Sequence, residues 1–202
     1  DHIKNNIVFD WAMGDEAATT AAFRNAARTV SLRIVNQRLV VNSMEPRGAI
    51  CEYDSKDDRS TLWVSSQGVS MIRPVVADMI LKIGSPKLRV RTGDVGGGFG
   101  MKIFVHPEYP MVVWASRELK RTVKWIPDRQ EAFQSDVQGR DHVSIAEMAL
   151  DKDSRFIGFK VTTYAALGAY LNHFSVFIPT LAGSSMLNGL YTTPAIYVNV
   201  KG

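Results

Sequence analysis

Apolar positions at three- and four-residue spacing over residues 17–28, where Ala18, Ala21, Ala22, Phe23 and Ala26 cluster, predict a helix. Two β-rich runs follow over residues 31–41 and predict a strand pair around Asn36-Gln37. Residues 49–53 and 61–65 flank the polar stretch 54–59, the pattern of a hairpin. Val75, Val76, Met79, Ile80 and Ile83 then mark a helical stripe, with Pro74 suited to its first turn and Gly84 to its stop. Residues 88–91 alternate like a strand and run straight into a glycine-rich segment. Residues 110–120 suit a second helix, although Met111-Val112-Val113-Trp114 alone also fits a strand. Further strands are expected over 122–126, 143–150 and 156–164, the last two separated by the turn-like Asp151-Lys152-Asp153-Ser154, and another begins at Tyr197.

Strands that arrive in runs with few intervening helices predict an α+β fold of mixed, partly antiparallel sheets with packed helices. No stretch reaches the roughly 18–20 apolar residues of a membrane span, and the N-terminus lacks the layout of a secretory signal, so a cytoplasmic protein is expected. The net charge of +4 is spread along the chain without a basic arm, which gives nucleic-acid binding little support. Asp1 is not an initiator methionine and the last residues break off within a strand pattern, so a piece of a longer chain is expected.

The single cysteine, Cys51, excludes an internal disulfide and any thiolate-built zinc or iron–sulfur site, and reads as a buried inert thiol. His2, His106, His142 and His173 are scattered and make no metal-ligand pair. The unusual feature is Gly96-Gly97-Gly98-Phe99-Gly100, where missing Cβ atoms let backbone amides approach and line an anion. It is neither a phosphate-binding loop closed by Gly-Lys-Ser/Thr nor a Gly-x-Gly-x-x-Gly fingerprint, and a tight turn at a crowded strand end stays open as the alternative. Gln67 alone reads as a solvated strand-end glutamine, Phe99 as a core anchor beside a turn, and Arg129 and Arg140 as members of ion pairs.

Taken together, Trp63-Val64-Ser65-Ser66-Gln67-Gly68 and Asp94-Val95-Gly96-Gly97-Gly98-Phe99-Gly100-Met101-Lys102 resemble the molybdopterin-binding part of the xanthine dehydrogenase/aldehyde oxidase family. The resemblance extends through Met44-Glu45-Pro46-Arg47, Val123 to Arg129, Gly139 to His142, Gly168-Ala169-Tyr170 and Tyr191 to Pro194. Within that family the chain looks most like bacterial carbon monoxide dehydrogenase-like large subunits, which implies that residues 1–202 are a slice of the cofactor-binding domain of a much longer subunit. The resemblance implies a molybdenum hydroxylase acting on an aldehyde, N-heterocycle or carbon monoxide with water as oxygen source. It also implies an iron–sulfur small subunit and an FAD-binding medium subunit as partners.

The implied cofactor is molybdenum–molybdopterin cytosine dinucleotide, the metal being held by the cofactor's dithiolene. Its implied contacts are Gln67, through the side-chain amide, and Gly97, Gly98, Phe99 and Gly100, through backbone. The family's glutamate base and arginine-containing active-site loop have no counterpart here; Glu45, Glu52 and Glu108 match neither and are expected to be paired or exposed. Purine-oxidising relatives carry an acidic residue where Ile103 stands and an arginine near residues 181–190, which hold no arginine or lysine, so an apolar or neutral substrate is expected. A truncated domain with an incomplete cofactor pocket, prone to self-association, and a cofactor-free interaction module are the alternatives for this chain.

Overall fold

The computed structural model describes residues 3–202; His2, read above as an ordinary histidine, lies with Asp1 outside the described residues. The elements follow in order as β1 (Asp10–Gly14), α1 (Glu16–Arg24), β2 (Arg28–Asn36), β3 (Ala49–Asp54), β4 (Arg59–Val64), α2 (Val69–Pro74), β5 (Leu88–Arg91), α3 (Glu108–Leu119), β6 (Val123–Trp125), α4 (Arg129–Ser135), β7 (His142–Leu150), β8 (Phe156–Ala165) and β9 (Ile196–Lys201). They form two compact units, one from Asp1–Leu39 and Arg140–Gly202, the other from Val40–Gly139.

The first unit is a five-stranded sheet in the order β1-β9-β8-β7-β2. β8 and β9 run parallel and the other neighbours antiparallel. Val161, Ala165, Val198 and Val200 form its core, with Trp11 and Phe159 packed against them. Asp15 caps α1 by accepting from Ala18 N at 2.8 Å, which satisfies one orphan amide of the first turn.

The second unit is a four-stranded sheet in the order β5-β4-β3-β6, in which β4 and β5 are parallel. Cys51 and Leu62 face Ile72, Val76, Tyr109 and Val113 in a closed core. Cys51 is fully buried, and burial pushes its thiol up to about 11, so it is inert packing.

The mixed α+β architecture, the β3–β4 hairpin, β5 and α3 follow the pattern expected from sequence. Four local expectations do not hold. The first helix ends at Arg24 rather than residue 28, because Arg28 onward is drawn into pairing with β7. No turn forms at Asn36-Gln37; Arg28–Asn36 is one strand, with Val30 opposite Met148 and Leu32 opposite Ala146. The helix expected after Pro74 starts instead at Val69, and Pro74 closes its α-helical part. Beyond Pro74 the chain widens into a π-helical turn, Val75–Ile80, where Leu81 N reaches Val76 O at 2.9 Å. Proline lacks the N–H that an α-helical register needs there. Arg129 is not in an ion pair but donates to Asn42 Oδ1 and to the carbonyls of Ser43 and Met44 at 2.7–2.8 Å. Arg140 makes no ion pair among the described residues either.

Candidate functional site

Because β4 and β5 are parallel, with Trp63 opposite Arg91, both strands release the chain at the same edge of the sheet. β4 runs into Ser65-Ser66-Gln67 and β5 into the glycine segment, so stretches far apart in sequence become neighbours. Two hydrogen bonds to one carbonyl lock them, and a third braces the Gln67 segment itself. Gln67 N donates to Lys102 O at 3.1 Å and Ser66 Oγ to the same carbonyl at 3.0 Å, while Gly68 N donates back to Ser66 Oγ at 3.0 Å.

The loop commits most of its amides internally. Gly96 N donates to Glu45 Oε2 at 2.7 Å, Gly97 N to Val95 O at 2.9 Å, Gly100 N to Gln67 Oε1 at 3.0 Å and Met101 N to Gly98 O at 3.0 Å. The amides of Gly98 and Phe99 have no acceptor among the described residues. The bond from Gly100 N also settles which way Gln67 points: its Oε1 must face the donor, which leaves the NH2 group as the free end. A Cβ on Gly98 would lie 2.5 Å from Gln67 Cδ, so glycine there is what lets the side chain lie against the loop.

Phe99 is not a core anchor. It is 76% exposed, with φ of +50°, and its ring lies over Gly97, where an added Cβ would meet Cε2 at 2.9 Å. The left-handed turn throws the side chain outward while the amide stays within the loop.

Beneath the loop lies a charged support that sequence reasoning took only as pairing. Lys102, with a fully buried side chain, bonds Glu45 Oε2 at 2.8 Å and Ser65 Oγ at 2.9 Å. Ser65 Oγ in turn donates to Glu45 Oε2 at 2.6 Å. Burial works against the Glu45 charge, but the hydrogen bonds from Lys102, Ser65 and Gly96 prevail and hold its pKa below the ordinary carboxylate value. Two residues on, buried Arg47 bonds Asp136 Oδ1 at 2.5 Å, Glu108 Oε2 at 2.8 Å and Ser135 Oγ at 3.2 Å, tying this turn to α3 and α4. His106 Nε2 donates to Met101 O at 3.1 Å, and burial together with the nearby Arg47 charge depresses its pKa to about 4.

The structure therefore brings Gln67 together with Gly98, Phe99 and Gly100, and places Gly97 in the same loop with its amide already used. Sequence reasoning passed over Ser43, whose buried Oγ has no partner and whose Cβ is 3.5 Å from a Cβ built on Gly97. Nothing in its local pattern marks it. It also missed Lys102 as a loop support, although a lysine set between Met101 and Ile103 just past a glycine loop was a readable signal. Among the described residues no group of three His, Cys, Asp or Glu side chains gathers as metal ligands. The donors on offer are amides and a hydroxyl, which suit oxygens carried by a ligand.

The sequence profile described as the molybdopterin cofactor-binding domain matches residues 1–202. The carbon monoxide dehydrogenase large chain of Hydrogenophaga pseudoflava is 33% identical over 201 residues, covering 98% of this chain and 24% of that protein. The nicotine 6-hydroxylase large subunit of Paenarthrobacter nicotinovorans is 32% identical over 149 residues, 74% of this chain and 18% of the relative. Among solved structures, quinoline 2-oxidoreductase from Pseudomonas putida 86 superposes with a TM-score of 0.85 at 31% identity, covering 98% of this chain and 25% of that one. The chain thus spans a quarter or less of the length of these relatives. On these grounds the chain belongs to the molybdopterin cofactor-binding domain family, among the large subunits of xanthine dehydrogenase/aldehyde oxidase-type enzymes.

Proposed function

We propose that in the full-length protein this chain grips the cofactor through the Gln67 side-chain NH2 and the Gly98 and Phe99 amides. The observation that carries this is the pairing of Gly100 N with Gln67 Oε1, which leaves the NH2 of exposed Gln67 uncommitted against a loop whose Gly98 and Phe99 amides have no acceptor among the described residues. The donor set fits a ligand that presents oxygens and brings its own metal ligands. The orphaned Ser43 Oγ beside Gly97 is a further donor of the same kind.

When bound, the cofactor supplies the redox chemistry: oxidation of a substrate carbon with oxygen drawn from water. The residues described here hold and orient. Preorganised amide donors stabilise negative charge on neighbouring oxygens, each by a few kcal/mol in a site shielded from water. Glu45 Oε2 is saturated by three donors and Glu108 is paired with Arg47, so neither serves as a general base. That base belongs to the remainder of the subunit.

The cytosine dinucleotide form of the cofactor, iron–sulfur and FAD-binding partner subunits, a cytoplasmic location and an apolar or neutral small-molecule substrate complete the reading. Relatives named for carbon monoxide, nicotine and quinoline support a small uncharged or weakly basic substrate. Among the described residues no helix is long and apolar enough to cross a membrane.

The test is molybdenum, pterin and nucleotide analysis of the full-length protein, co-expressed with its neighbouring genes, as wild type and as Gln67→Ala. Wild type is expected to hold molybdenum, pterin and releasable cytidine monophosphate, and the variant to hold less. A full-length protein without metal or pterin would leave a cofactor-free interaction module as the better account.

A further inference from the structure

One carboxylate oxygen holds both ends of the glycine loop. Gly96 opens the loop and donates to Glu45 Oε2 at 2.7 Å; Lys102 closes it and donates to the same oxygen at 2.8 Å. Ser65, on the segment leading to Gln67, supplies the third donor at 2.6 Å. Glu45 N completes a two-way pairing with Gly96 by donating to its carbonyl at 3.1 Å. The approach is close enough that a Cβ on Gly96 would stand 2.6 Å from Glu45 Cβ.

A lysine whose side chain is fully out of water is a costly device if its only task is to fill space, since apolar side chains of similar volume pack there without a desolvation penalty. What the charge adds is direction: the ammonium fixes one acceptor, and that acceptor ties two points of the chain six residues apart, Gly96 by its amide and Lys102 by its side chain. We propose that Glu45 and Lys102 are positioning residues, a charged staple that sets the span from Gly96 to Lys102 so that Gly100 N stays on Gln67 Oε1 and the Gly98 and Phe99 amides stay free. The inference rests on the reading of this loop as the cofactor's seat. It adds that the seat is shaped before any ligand arrives, by residues that never touch the ligand.

The experiment is hydrogen exchange, by mass spectrometry, on full-length protein from cells unable to make molybdopterin. Wild type is compared with Glu45→Leu/Lys102→Met, which removes both charges and so leaves no unpaired ion while freeing Gly96 N and Ser65 Oγ, and with Glu45→Gln, which keeps an oxygen acceptor. The double variant is expected to exchange at least tenfold faster over residues 93–103 while peptides of β3 and β4 stay protected, and Glu45→Gln is expected to recover part of the protection. Unchanged exchange in the loop would overturn the staple, as would faster exchange spread evenly through residues 40–139, which marks a merely structural pair. A second arm measures pterin and molybdenum in the same variants made in cofactor-competent cells. A loosened loop with full cofactor content would leave the staple standing and sink the reading of the loop as the seat.

Discussion

Arg47→Met tests how strongly the turn beneath the site depends on one buried cation. The side chain is fully buried and uses all three guanidinium nitrogens, on Asp136, Glu108 and Ser135, with Trp125 stacked 5.2 Å away. Methionine keeps most of the stem but leaves the Asp136 carboxylate, only 3% exposed, without its cation, and Glu108, 22% exposed, without its hydrogen bond. Burial already opposes the Glu108 charge, and it is the Arg47 bond that holds its pKa below the ordinary value. Removing one partner of a buried pair costs roughly 3–5 kcal/mol, a large share of the about 5–15 kcal/mol that holds a domain together. With a urea slope of about 1–2 kcal/mol/M for about 100 residues, the midpoint should fall by roughly 2 M. Tryptophan fluorescence reports mainly on the second unit, which holds Trp63, Trp114 and Trp125 against Trp11 in the first, and far-UV circular dichroism follows the whole chain. Adding Asp136→Asn and Glu108→Gln to Arg47→Met should recover roughly 2 kcal/mol, because the orphaned charges go with the cation. A loss below about 1 kcal/mol in the single variant, or no recovery in the triple, would refute the account.

Three further outcomes follow. His106 titrates near 4 when folded against 6.5 unfolded, so its contribution is complete above pH 6.5 and is lost as pH falls toward 4, by up to about 3 kcal/mol. Urea melts between pH 7 and 5 should therefore fall more steeply for wild type than for His106→Gln, in which burial still holds His142 and His173 below the ordinary histidine value; parallel curves would contradict this. Gly98→Ala would drive a methyl into Gln67 and cost the Gly100–Gln67 bond, about 1 kcal/mol or roughly fivefold in cofactor retention. Gly100→Ala has open space and pays only for its φ of +86°, so it should retain more cofactor; the reverse order would count against the proposed site. The edge strand β2 leaves all nine residues exposed, Leu32 at 60% and Val35 at 56%, so the 202-residue chain should self-associate. Light scattering should show mass rising with concentration and falling back in Leu32→Lys, whereas a constant monomer mass would dismiss the idea.

Elements whose signal is local were readable in the sequence. The hairpin of β3 and β4 carries its own polar loop, α3 its apolar face, and β7 and β8 their connecting turn at Asp151. Where a distant partner decides, local pattern misleads: β7 claims Arg28–Asn36 over a helix end and an Asn-Gln turn. α4 was overlooked although its capping box, Asp128 with Glu131, stands in the sequence. At the site, residue types and a family resemblance led to Gln67 and the glycines. Their adjacency could not be read, because it depends on β4 and β5 being parallel. Nor could the orientation of the Gln67 amide, the outward turn of Phe99, or the meeting of Glu45 and Lys102 across 57 residues.

The division into two units also imposes an order on folding. β2 and β7 are consecutive in their sheet, with Asn36 opposite His142, yet the entire second unit is threaded between them in the chain. Closing that ladder across an unfolded stretch of such length is entropically slow, and an already compact second unit removes most of the search. The proposed cradle for the cofactor should therefore be folded before the first unit can zip its sheet. A nascent chain would reach a competent seat while still emerging, and the late, exposed edge at β2 would be the last part to find cover.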